Sequence, residues 1–297
     1  MKKFRGLHTA LVTPFTREGL VDYYAFRQIV EFQIKGGVDG VVPCGTTGES
    51  PTLSTKEMGR LIATAVEVSN GRVAVIAGTG SNSTEEAVRL SKNGAAHGAD
   101  ALLLVNPYYN KPTQKGLYLH FKKIADSVDI PCILYNIKGR TGVNIETATL
   151  VKLANECDNI VAVKEASGDL EQMKAVIKQA PANFTVLSGD DNISLDLIEA
   201  GGDGVISVAS NIIPNYMSRM IGRALEGNFN QARQIEGQLA HFFSTCFIET
   251  NPIPIKTVMA HYGWCEEVFR LPMCSLESEE HRALLFKSIK NLEITKN

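Results

Sequence analysis

The sequence predicts a (β/α)8, or TIM, barrel with a C-terminal helical extension, on three observations. Short apolar or β-branched runs recur along the chain, starting near Leu7, Gly40, Val73, Ala101, Pro131, Ile160, Phe184 and Gly204. Each is followed by a stretch of helical periodicity, so that the spacing corresponds to about one βα unit. After the last run the pattern is helical only, around 213–226, 228–243, 254–262 and 278–290.

The runs ALLLV, IPCILY and IVAV are continuous rather than alternating, as parallel strands buried on both faces require. Between the strands, Ser54-Thr55-Lys56-Glu57 forms a capping box, and Met58, Leu61, Ile62, Ala65 and Val66 follow at amphipathic spacing. Ser83 with Glu86 and Asp169 with Gln172 have the spacing of two further boxes. Gly36-Gly37, Gly71, Gly98 and Gly201-Gly202 supply helix stops before the next strands. Asn251-Pro252-Ile253-Pro254 interrupts the helical tail without the Ser/Gly composition of a linker. The chain therefore reads as a single domain over 1–297, with the barrel core at 1–210 and the last barrel helix and extension at 211–297.

Composition narrows the function. The 297 residues are 44% hydrophobic and 21% charged, with a net charge of −2, and lack the basic stripe that nucleic-acid binding demands. No run approaches the length of a membrane span. The N-terminal MKKFRGLHTALVTPF is too briefly apolar for a signal peptide. Six scattered cysteines without C-x-x-C point to reduced thiols in a cytoplasmic protein. Six histidines show no metal-ligand spacing, and Gly78-Thr79-Gly80 lacks the third glycine of a dinucleotide loop.

In such barrels the reactive groups sit at the C-terminal strand ends. Here those ends read Gly45-Thr46-Thr47-Gly48-Glu49, Asn106-Pro107-Tyr108-Tyr109, Tyr135-Asn136, Lys164-Glu165 and Ser188-Gly189-Asp190-Asp191. Lys164 closes an apolar strand and shares a face with the small Ala162. Partial desolvation there disfavours an ammonium and favours a free amine able to attack a carbonyl. A strand-end lysine can equally reach solvent or pair with Glu165. Tyr135, Thr47 and Tyr109 carry hydroxyls suited to a Tyr–Thr–Tyr proton relay, or else are unrelated side chains that pack loops. The Gly-flanked threonines suit a carboxylate, and Arg140 offers a fork for a second one or is an ordinary surface arginine.

Taken together, Gly45-Thr46-Thr47-Gly48-Glu49, Tyr135-Asn136-x-x-x-Arg140-Thr141-Gly142, Lys164-Glu165-Ala166-Ser167-Gly168-Asp169 and Ser188-Gly189-Asp190-Asp191 resemble the dihydrodipicolinate synthases. These enzymes, also called 4-hydroxy-tetrahydrodipicolinate synthases, belong to the pyruvate-dependent class I aldolases that include N-acetylneuraminate lyase. The resemblance runs from Thr13-Pro14-Phe15 to Asn251-Pro252-Ile253-Pro254. It implies a lyase that condenses pyruvate with L-aspartate 4-semialdehyde in diaminopimelate and lysine biosynthesis. Lys164 would bear the pyruvate Schiff base and Tyr135 would shuttle protons. Thr47 and Tyr109 would complete the relay, that tyrosine arriving from a neighbouring subunit of a homotetramer. Thr46 and Thr47 would hold the pyruvate carboxylate and Arg140 the semialdehyde carboxylate, with backbone near Gly189 and Ile206 lining the pocket. No metal or other cofactor is implied, because the protonated imine is itself the electron sink. Asn82, Glu86 and Tyr108 match a lysine effector site, although the histidine often found near Ser54–Met58 is absent.

One departure touches the site. The family usually has proline after Tyr-Asn-Ile, and this chain has Lys138-Gly139, which should loosen the loop that aims Arg140. Two alternatives stand beside the main reading. A sibling lyase acting on sialate or a keto-deoxy-sugar acid would more often carry serine at position 46 and an apolar residue at 140. A non-catalytic keto-acid-binding barrel would be expected to lose Lys164 or Tyr135.

Overall fold

The computed structural model describes residues 4–294, so the predicted domain limits at Met1 and Asn297 lie outside the described residues. Eight strands pair in sequence order, all parallel, and β8 returns to β1 to close the barrel. They are β1 (Gly6–Ala10), β2 (Gly40–Val42), β3 (Ala74–Gly78), β4 (Ala101–Val105), β5 (Cys132–Asn136), β6 (Ile160–Glu165), β7 (Thr185–Ser188) and β8 (Gly204–Ser207). Every start falls within a residue of its apolar run, because strands covered on both faces must be apolar throughout.

The helices are α1 (Tyr23–Lys35), α2 (Thr55–Ser69), α3 (Thr84–Ala96), α4 (Gln114–Ala125), the turn α5 (Lys138–Thr141), α6 (Thr147–Glu156), α7 (Leu170–Gln179) and α8 (Ser194–Glu199). The tail holds α9 (Pro214–Leu225), α10 (Phe229–Thr245), α11 (Ile253–His261) and α12 (Glu279–Ile289). All seven residues from Ile253 to Met259 are buried, the polar Lys256 and Thr257 among them.

The capping box at Ser54 forms in full. The other two form only by half. Ser83 accepts from the Glu86 amide, but the Glu86 carboxylate turns to Arg89, a stronger charged partner on its own helix. Asp169 accepts from the Glu171 and Gln172 amides, while the Gln172 side chain is drawn inward to Asn144, Ile145 and Glu165. Gly78 and Gly80 serve close packing: a Cβ on Gly78 would meet the Cys44 carbonyl oxygen at 2.2 Å, and one on Gly80 the Val105 nitrogen at 2.3 Å.

Two concentric layers result. Ala10, Val42, Ile76, Leu103, Ile133, Ala162, Leu187 and Ile206 fill the barrel interior. The alternate residues pack outward against the helices. A register shift between Cys132 and Ile133 sets Cys132 beside Ile160 but Ile133 beside Ala162. Val161 is the extra residue. The shift brings Tyr135 directly opposite Lys164 at the strand ends, whereas an unbroken register would have set it opposite Val163.

Candidate active site

Lys164 and Tyr135 rise side by side from the inner layer, 5% and 6% exposed. The Lys164 Nζ lies over the Tyr135 ring, 4.2 Å from its centroid, where the negative face of the ring attracts a cation. Glu165 does not pair with Lys164. Being the next residue of a strand it points to the opposite face, where it is wholly buried. There it accepts from the Asn136 amide group, the Ser167 N–H and Gln172 Nε2. Burial pushes its carboxyl above the ordinary value against the pull of those donors. Asn136 also accepts from Asn106 Nδ2 and the Ile145 N–H, so a polar lattice outside the barrel fixes the ends of β4, β5 and β6.

The space beside Lys164 exists because residue 189 has no side chain. A Cβ on Gly189 would stand 2.4 Å from the Ala166 Cβ and 3.1 Å from the Lys164 Cε. Lys164, Gly189, Thr46, Thr47, Tyr135 and Arg140 line one small pocket. Asp190 is its sole acidic lining residue, and burial pushes that carboxyl up while Lys164 pulls it down. A larger cavity of about 380 Å³ opens alongside and shares Gly45, Thr46, Tyr135 and Arg140 with it. Ile206 lies in the inner layer of the barrel.

The hydroxyl relay is not assembled within one chain. The Thr47 Oγ1 accepts from Asn251 Nδ2 at 3.0 Å, and no hydrogen bond links it to Tyr135 among the described residues. Tyr109 is 89% exposed on a left-handed backbone at φ 71°, and it lines neither of the two cavities. Of the candidate effector residues, Glu86 and Tyr108 line the larger cavity. Asn82 is not among the lining residues, and its carbonyl accepts from Asn110 Nδ2.

The Lys138-Gly139 segment is a hydrogen-bonded turn. The Arg140 and Thr141 amides reach the Ile137 carbonyl, and Gly142 at φ 73° closes on the Lys138 carbonyl. Arg140 is exposed at the pocket mouth, and its Nη2 donates to the Asn251 carbonyl at 3.1 Å. Asn251 thus touches both Thr47 and Arg140, a role its sequence context gave no reason to expect.

A second missed element lies behind the threonine loop. Glu49, at φ 55°, forms a buried ion pair with Lys256 at 2.7 Å. Lys256 also lies 4.2 Å from the centroid of Phe15 and 4.9 Å from that of Phe269. Burial lowers its pKa against the pull of Glu49. The other Glu49 oxygen accepts from the Arg270 N–H. Removing one partner of such a pair would strand a buried charge, so the C-terminal extension holds the loop firmly.

A model of the dihydrodipicolinate synthetase family matches residues 3–291. A 4-hydroxy-tetrahydrodipicolinate synthase of Endomicrobium trichonymphae is 51% identical over 293 residues, covering 99% of this chain and 100% of the relative. The crystal structure of dihydrodipicolinate synthase from Aquifex aeolicus superposes with a TM-score of 0.96 at 47% identity, covering 99% of this chain and 100% of that one. The chloride-inhibited dihydrodipicolinate synthase of Acinetobacter baumannii, solved in complex with pyruvate, gives a TM-score of 0.96 at 42% identity, with the same coverage.

Proposed function

The chain belongs to the dihydrodipicolinate synthetase family, and from that premise we propose that it condenses pyruvate with L-aspartate 4-semialdehyde to give 4-hydroxy-tetrahydrodipicolinate. The observation that carries the reading is a buried lysine amine in no salt bridge among the described residues, set at a barrel mouth beside a phenol and a space kept open by Gly189.

The Lys164 amine attacks the keto carbon of pyruvate, forming a C–N bond as the carbonyl oxygen takes a proton. Loss of water from this carbinolamine gives the protonated imine, whose positive nitrogen draws electrons when the methyl group loses a proton. The resulting enamine carbon attacks the aldehyde carbon of the second substrate, whose oxygen takes up a proton. The amino group of that substrate then attacks the imine carbon and displaces the Lys164 amine, which closes the ring and frees the lysine. Tyr135 carries protons in these steps, with Thr47 and a neighbouring subunit's copy of Tyr109 completing the relay. Thr46 and Thr47 hold the pyruvate carboxylate through hydroxyl and backbone donors. Arg140 takes the semialdehyde carboxylate at the mouth, and backbone near Gly189 and Ile206 lines the pyruvate site. Thr46 and Arg140 favour this reaction over sialate cleavage, as does the function of relatives half identical in sequence.

The same reading makes the protein cytoplasmic and a homotetramer, whose assembly would bring Tyr109 to the relay of the next subunit. Residues 1–297 then act as a single domain, in which 211–297 brace the barrel core at 1–210. Asn82, Glu86 and Tyr108 form its lysine effector site.

Borohydride reduction in the presence of pyruvate, followed by peptide mass mapping, tests the central step. A reduced pyruvyl adduct confined to the Lys164 peptide is expected. An unmodified protein, or an adduct on another lysine, overturns the reading.

A further inference from the structure

Asn251 precedes α11 and is 5% exposed, lining the Lys164 pocket. Three of its polar groups have separate fates. The Nδ2 donates to Thr47 Oγ1 at 3.0 Å, the backbone carbonyl accepts from Arg140 Nη2 at 3.1 Å, and Oδ1 has no hydrogen-bond partner among the described residues. The segment is fixed independently, since Lys256 further along it holds Glu49 of the same threonine loop.

A hydroxyl has one hydrogen to give and two lone pairs to receive with. Where an N–H already points at Thr47 Oγ1, the threonine hydrogen must turn to some other acceptor. The pocket supplies that acceptor when a carboxylate or phenol oxygen stands beside Thr47. We propose that Asn251 is a positioning residue that forces the Thr47 hydroxyl to donate into the pocket, and couples that orientation to the anchoring of Arg140. The proposal rests on the reading of Lys164 as the pyruvate-bearing lysine. It goes further in assigning the direction of the Thr47 hydrogen bond to a residue 204 positions away in the chain.

The assay is the rate of borohydride-trapped pyruvate adduct on Lys164 in the full-length protein, with pyruvate KM and kcat measured separately. Asn251→Asp is close in size and shape but presents only acceptors, so it would capture the Thr47 hydrogen and withdraw it from the pocket. It should slow trapping by about tenfold or more, the scale of one misdirected hydrogen bond. Asn251→Ala frees the hydroxyl instead of capturing it and should lose less. In a Thr47→Val background Asn251→Asp should cost less than about twofold, because the hydroxyl it acts through is gone. A purely structural or electrostatic effect of the new carboxylate would persist in both backgrounds. Equal losses there, or a wild-type rate in Asn251→Asp, overturn the proposal. No adduct in the wild-type protein would overturn the Lys164 reading itself, and the proposal with it.

Discussion

Replacing Gly189 with alanine isolates the space beside Lys164. The backbone at Gly189 lies outside the left-handed region, so alanine carries no torsional penalty there and the effect is steric. The new Cβ would lie 2.4 Å from the Ala166 Cβ, 3.2 Å from its Cα and 3.1 Å from the Lys164 Cε. Carbon atoms pack at about 3.5–4.0 Å, so the first contact falls short by more than about 1 Å. Ala166 has no rotamer with which to yield. Its backbone must move, and its N–H is bonded to the Asn136 carbonyl at the tip of β5. Overpacking of this kind costs about 1–3 kcal/mol. The Lys164 Cε must itself yield by about 0.4 Å, and the shift forced on Ala166 two residues away adds to it, so adduct formation should slow by about tenfold to a hundredfold. Urea unfolding reads the first quantity and borohydride trapping the second. The pair Gly189→Ala with Ala166→Gly removes the 2.4 Å contact and leaves the milder ones at 3.1 and 3.2 Å, so most of the stability should return while trapping stays about tenfold slow. Wild-type trapping and stability in the single variant would refute the argument that residue 189 shapes the lysine's space.

Two further outcomes are open to measurement. Arg270 reaches both Glu57 oxygens, at 2.6 and 3.1 Å, and with Ser54 holds that carboxyl down to about 2 from 4.5. The unfolded chain therefore takes up the proton first as pH falls, and the pair's contribution, full above about pH 4.5, is lost toward pH 2. About 3 kcal/mol is its upper bound, so Glu57→Gln should flatten the acid limb of a stability–pH profile. An acid limb parallel to that of the wild type would contradict this. Lys138 is exposed two residues from Arg140, so Lys138→Gln should raise the semialdehyde KM about twofold at low ionic strength, with the difference fading as salt screens the charge. A salt-independent KM change, or none, would remove the lysine from substrate attraction.

The barrel was legible because its signals are local. Runs such as Ala101–Val105 and Ile160–Val163 are apolar without alternation, and only burial on both faces explains that. Lys164 and Tyr135 were legible for the related reason that a polar group ending such a run has to emerge at the barrel mouth. The period of two also rules out pairing of Lys164 with Glu165, since adjacent residues on a strand cannot share a face and Glu165 is turned to the outer lattice. The level at which the two side chains meet was not legible. It depends on the extra residue Val161, and nothing in IVAV distinguishes a bulged strand from a straight one.

The site's support was hidden for a different reason, which is distance along the chain. Asn251 reaches Thr47 across 204 residues and Arg140 across 111, while Lys256 reaches Glu49 across 207. Pattern within a window cannot report such pairs. The one available signal was chemical: a lysine within the mostly apolar run from Ile253 to Met259 has to find a buried carboxylate or leave the helix solvated. That carboxylate is Glu49, the last residue of the motif that supplies Thr46 and Thr47. The extension is therefore part of the site's construction. Cutting the chain after the eighth strand would leave Glu49 charged without its partner and Thr47 without the donor that orients it, even with every strand-end residue in place.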